Sequence, residues 1–131
     1  MSERMERIEA YAAKSPLATW LGFKAAADAE TFTLTFNEAH IGNPAIKALH
    51  GGVISAFLEF VMQADLTART GGGVSTVNMS IEYLSSSRPE NMTARVRLLK
   101  EGRRIAYLEA EGWQSDETRL VAVARGCFKL G

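Results

Sequence analysis

The chain has 131 residues, 47% of them hydrophobic, with 15 basic and 15 acidic residues and a formal net charge of zero. That size and apolar content suffice for one core, and so for a single domain spanning 1–131, whereas a neutral chain lacks the basic field that nucleic acids or anionic membranes require. One cysteine, Cys127, excludes an intrachain disulfide, and two histidines leave no cluster at zinc spacing, so neither metal nor cofactor is expected.

In chain order, "MSERMERIEAYAAKSP" opens as a helix with Met5, Ile8, Tyr11 and Ala12 on one face and a break at Pro16. Its charges interrupt the apolar stretch a signal peptide needs, and no run approaches the roughly 20 apolar residues that cross a bilayer. A reducing cytoplasm is the expected setting. A short helical turn through Trp20 precedes Gly22. Strand character then runs from Phe23 to Phe36, clearest where Phe32, Leu34 and Phe36 alternate with threonines, and Asp28, Ala29 and Glu30 mark a hairpin turn. "NEAHIGNPAIKAL" reads as a connection without periodicity, with His40 a loop residue.

The longest helix enters through Gly51-Gly52, continues to about Thr70 and leaves through Gly71-Gly72-Gly73. In "VSTVNMSIEYL" strict alternation places Val77, Met79, Ile81 and Tyr83 on one face and Thr76, Asn78, Ser80 and Glu82 on the other. Strands follow near Thr93 to Leu99, Arg104 to Gln114 and Arg119 to Phe128, separated by turns short enough to leave them antiparallel. The class is α+β: a long central helix wrapped by an antiparallel sheet, after an N-terminal helix.

The long helix poses the chemical question. Val53, Phe57, Val61 and Ala64 form its apolar stripe, which Ile54, Leu58, Met62 and Phe60 widen. The remaining sector holds Gly52, Ser55, Ala56, Glu59 and Gln63, so between Gly51 and Ala64 the only charge is Glu59. A solvated face two turns long would carry several charges. An unpaired carboxylate held from water costs several kcal/mol, so it needs a partner or a task; kept from water it is also a better proton acceptor, which suits a general base. Upstream, "HGG" sets backbone amides at the positive end of the helix dipole, where developing negative charge is attracted. Eight residues at 1.5 Å rise separate Gly51 from Glu59 by roughly 12 Å, whereas both would act within about 3 Å of one reacting centre. One chain cannot supply both groups. Two antiparallel helices across a two-fold axis can, and a neutral surface does little to resist such pairing.

"HGGVISAFLE", "TVNMSIEYLSSSRPE", "GRRIAYLEAE" and "RLVAVARGCFK" together resemble the hot-dog-fold acyl-CoA thioesterases, especially the phenylacetate-degradation type. The likeness runs from about His50 to Lys129. It implies the hot-dog fold, with a curved antiparallel sheet around the helix, and a homodimer or dimer of dimers acting on an acyl-CoA substrate. Carried onto this chain, it makes Gly51 the amide that polarises the thioester carbonyl. Glu59 becomes the catalytic carboxylate, as general base or as nucleophile through an anhydride, and Thr76 the hydroxyl that positions water or the acid. The family often places an Asn six residues before the His; here that position is Pro44, with Asn43 one residue further away.

Beside Gly52, His50 reads as a cap or loop anchor, and Ser55 and Gln63 as pocket-lining or polar packing residues. Asp65 is expected at an exposed position paired with Arg69. Cys127 reads as a small core residue, and Tyr83, Phe57 and Met62 as core or acyl-pocket residues. Arg88, Lys100, Arg103 and Arg104 are the candidate partners of coenzyme A phosphates. The alternative function is a non-catalytic acyl-CoA-binding or sensing protein on the same fold, which would have no need of the lone acid. A hydratase would pair an Asp with a His at a spacing this chain lacks.

Overall fold

A computed structural model describes residues 2–131. Helix α1 (Glu3–Ala13) starts where the Ser2 side chain accepts from Met5 N, and α2 (Pro16–Leu21) where Ser15 does the same for Ala18 N. Strands β1 (Phe23–Ala25) and β2 (Thr31–Leu34) form the expected hairpin. After a 3-10 turn (Glu38–His40), β3 (Ile41–Asn43) and β4 (Ala48–Leu49) pair separately. Helix α3 runs Gly51–Thr70 and ends at Gly71, whose φ of 74° is the left-handed conformation glycine adopts without strain. Then come β5 (Val74–Tyr83), β6 (Met92–Glu101), β7 (Ile105–Trp113) and β8 (Leu120–Leu130).

Six strands form one sheet in the order β1-β2-β6-β7-β8-β5, with every pair antiparallel. Register shifts at Thr76/Asn78, Leu98/Lys100 and Gly112/Trp113 bend the strands. Helix α3 packs on β5, β6, β7 and β8, and α1 lies along α3. The apolar stripe read from the sequence is this core: Phe57, Leu58, Val61, Met62 and Ala64 are fully buried.

The structure corrects five expectations. The segment after Phe36 is ordered by a turn and a small hairpin, and His40 is completely buried in it: its Nδ1 accepts from Asn37 N at 3.1 Å, which leaves Nε2 to donate to Trp20 O at 2.9 Å. In β5 the strict alternation fails, because Thr76 pairs with Phe128 and Asn78 with Cys127, leaving Val77 as an extra residue. Thr76 therefore turns to the helix side with Met79 and Ile81, and Val77 is 54% exposed. Tyr83, expected in the core or the acyl pocket, is 52% exposed, which excludes the core. Arg104, expected to open a strand, lies with Arg103 in the turn before β7.

The fifth correction concerns Asp65, which is 1% exposed instead of solvated. It does pair with Arg69 (Nε to Oδ2, 2.7 Å), but Arg4 from α1 closes the other side (Nη2 to Oδ1, 2.6 Å) and also donates to Ala29 O. The acid thus ties α1, the β1–β2 turn and α3 together. Asp65→Ala should lower stability by about 3 kcal/mol, the lower end for breaking a buried ion pair, because both arginines retain partial access to water. A urea midpoint equal to the wild type's would show the pair to be dispensable.

Candidate functional site

The start of α3 is fixed by its neighbours. His50 (φ −61°, ψ 133°) is its N-cap, and the Nδ1 atom accepts from Gly52 N at 2.9 Å, the capping role expected of it. The His50 carbonyl takes the amides of Val53 and Ile54, and His50 N donates to His40 O. A side chain at Gly42 would put its Cβ 2.8 Å from His50 Cα, so only glycine lets β3 approach this closely. In the 84–91 connection the Ser87 hydroxyl accepts from Leu49 N, and at the end of β5 the Tyr83 hydroxyl donates to Gly51 O at 2.6 Å. Once these bonds are assigned, the exposed Gly51 N–H is left with no acceptor among the described residues. It is a free donor at the positive end of a 20-residue helix.

Two turns further on, Ser55, Glu59 and Gln63 form a half-buried row. Among the described residues the Glu59 carboxylate makes no hydrogen bond and no ion pair. Gln63 is engaged on both sides: its Nε2 donates to Thr76 Oγ1 at 3.0 Å, while its Oε1 accepts from the Tyr11 hydroxyl at 3.4 Å. Burial, and after it the Glu59 negative charge, raise the Tyr11 pKa above its ordinary value. Glu59 therefore lies within electrostatic reach of Tyr11, and Tyr11, Glu59, Gln63 and Thr76 share one side of α3.

Of the sequence candidates, then, Glu59, Gln63 and Thr76 come together. Gly51, Gly52 and His50 form a second group at the head of the same helix, and Ser55 lies between the two. Asn43 stays apart: it is exposed, and its Oδ1 accepts from Ala45 N to close its own turn. Tyr11 was read only as part of an apolar helix face; nothing local separates a tyrosine packed by its ring from one that also uses its hydroxyl. No group of three or more His, Cys, Asp or Glu side chains able to hold a metal occurs among the described residues.

Residues 39–128 match the profile of the acyl-CoA thioesterase N-terminal domain, which takes in both groups. The chain belongs to the acyl-CoA thioesterase family. Its structure is that family's hot-dog fold, similar to a solved protein of the thioesterase superfamily at 25% identity and TM-score 0.88, with 99% of each chain covered. The E. coli PaaI protein, from the phenylacetic acid degradation operon, has the same fold at 16% identity and TM-score 0.85 over 98% of this chain and 94% of its own. A hypothetical thioesterase from Streptococcus pneumoniae, solved with coenzyme A, matches at 18% identity and TM-score 0.69 over 77% of each chain. No curated protein sequence gives a significant match. Among the described residues of this family member, no helix is long and apolar enough to cross a membrane. Of its four candidate phosphate partners, Arg88 lies on the connection that holds the head of α3, whereas Arg103 lies at the opposite end, near Arg69 and Thr70.

Proposed function

We propose that residues 1–131 form one thioesterase domain that works in the cytoplasm as a homodimer or a dimer of dimers and hydrolyses an acyl-CoA thioester to a free acid and coenzyme A. The observation that carries this reading is the Glu59 carboxylate, half-buried as the one charge between Gly51 and Ala64 on α3 and without a partner among the described residues. A family member has a use for such an acid. Glu59 takes the proton of a water as it attacks the thioester carbonyl, charge builds on the carbonyl oxygen, and the coenzyme A sulfur leaves with its bonding electrons and is protonated.

The free Gly51 N–H is the donor for that oxygen. It stands eight residues before Glu59 on one unbroken helix, roughly 12 Å away at 1.5 Å per residue, so the amide and the acid that share a substrate come from different subunits. The 10-residue strand β5 supports pairing: it bonds only to β8, and its other edge is open. Thr76 holds the attacking water or the acid, while His50 and Gly52 shape the head of the helix. Ser55 and Gln63 border the substrate path, which Asn43 would meet only from β3, outside both groups.

Release of coenzyme A thiol from aromatic, short, medium and long acyl-CoAs, followed with a thiol-reactive dye, tests the reaction. Turnover of at least one class is expected. Tight binding with no thiol released over hours would identify an acyl-CoA-binding protein instead.

A further inference from the structure

The bonds around Gln63 have a direction. An amide side chain can sit either way round, and what surrounds it decides which end faces which neighbour. The Tyr11 hydroxyl, protonated at neutral pH as any tyrosine is, donates to Gln63. The Gln63 oxygen accordingly turns to Tyr11 (3.4 Å), and its nitrogen turns to Thr76 Oγ1 (3.0 Å). A threonine hydroxyl has one proton, and in this arrangement Thr76 spends none of it on Gln63. If the amide were reversed, Gln63 would accept that proton. The acceptor without a partner one helical turn before Gln63 is Glu59.

We propose that Tyr11 is a positioning residue for thioester hydrolysis: by holding Gln63 with its nitrogen toward Thr76, it keeps the threonine proton free for the Glu59 carboxylate or for the water that carboxylate activates. The inference rests on the proposed hydrolysis, and adds a group from α1 to a site otherwise built on α3 and β5. The tyrosine ring is held independently of its hydroxyl. It packs at 5.3 Å from Phe60, which meets Phe23 edge-on at 4.9 Å. Phenylalanine therefore keeps the packing and deletes only the director of the amide.

The test is a kinetic cycle of Tyr11→Phe, Thr76→Val and the double variant, with kcat and KM measured on the best acyl-CoA of the panel. Tyr11→Phe should lower kcat between about tenfold and about 100-fold, the range for a misplaced reacting group, with KM and the unfolding midpoint unchanged. In the Thr76→Val background, removing the Tyr11 hydroxyl should cost nothing more, because the group it serves is gone. A structural role would lower kcat by the same factor in both backgrounds and move the unfolding midpoint, and that result overturns the proposal. Wild-type kcat in Tyr11→Phe overturns it as well while leaving hydrolysis intact. A wild type that turns over no acyl-CoA overturns the proposed function, and this inference with it. Should Tyr11→Phe fail to fold, Gln63→Leu interrupts the same relay at its centre and is read by the same criteria.

Discussion

Glu59→Gln should lower kcat on every acyl-CoA the wild type hydrolyses by about 10² to 10⁴, the range of a positioned general base, while KM stays close to its original value. Glutamine has the shape of glutamate and cannot accept the water proton. Because the carboxylate has no partner among the described residues, the change leaves no buried group unsatisfied, and stability should stay within about 0.5 kcal/mol of wild type. The substitution also removes the second of the two causes that raise the Tyr11 pKa, so the tyrosine should titrate at lower pH in the variant. That shift is measurable without turnover and reports directly on whether the two groups are close. Base and nucleophile separate in one turnover in heavy-oxygen water. If water opens an anhydride at the Glu59 carbonyl, the label stays on the protein; a general base sends it into the product acid. Turnover at the wild-type rate in Glu59→Gln would show that the acid is not catalytic.

The long helix was legible because its stripe has the 3.6-residue period and its ends carry glycine, and each strand after it because polar and apolar residues alternate between clear turns. Thr76 shows where that logic fails. Its neighbours keep alternating in sequence straight through the bulge at Val77, and one inserted residue exchanges the two faces without altering local composition. Asp65 fails for a different reason: its second partner, Arg4, lies 61 residues away, and a local i,i+4 pair looks the same whether the helix end is covered or not. Tyr11 and Gln63 meet across 52 residues, a separation that period and spacing do not encode. By contrast, Glu59 and Gly51 stood out from the sequence because each breaks a local pattern, one as a charge in an apolar helix and the other as a flexible residue at a helix start.

Gly51→Pro tests the other half of the site and its division between subunits. Proline lacks the N–H, yet it suits the first position of a helix, which Gly51 occupies: the N–H there bonds to nothing within the helix, and helical φ values lie near the one the proline ring fixes. The preceding residue, His50, has ψ 133°, the extended conformation that proline requires of its neighbour. A Cβ at Gly51 would come within 3.3 Å of the Tyr83 hydroxyl, the far end of an exposed side chain that can give way. The fold should therefore survive, and kcat should fall by about 10² to 10³, as for the loss of one oxyanion donor. Mixing this variant with Glu59→Gln then counts the subunits at each site. If amide and acid come from different chains, random exchange makes half of all dimers mixed, each with one site carrying both lesions and one carrying neither, and about a quarter of wild-type activity returns. If each chain instead served its own thioester, every site in the mixture would keep one lesion and no activity would return, because a single helix would have to bring its first residue and its ninth to one carbonyl.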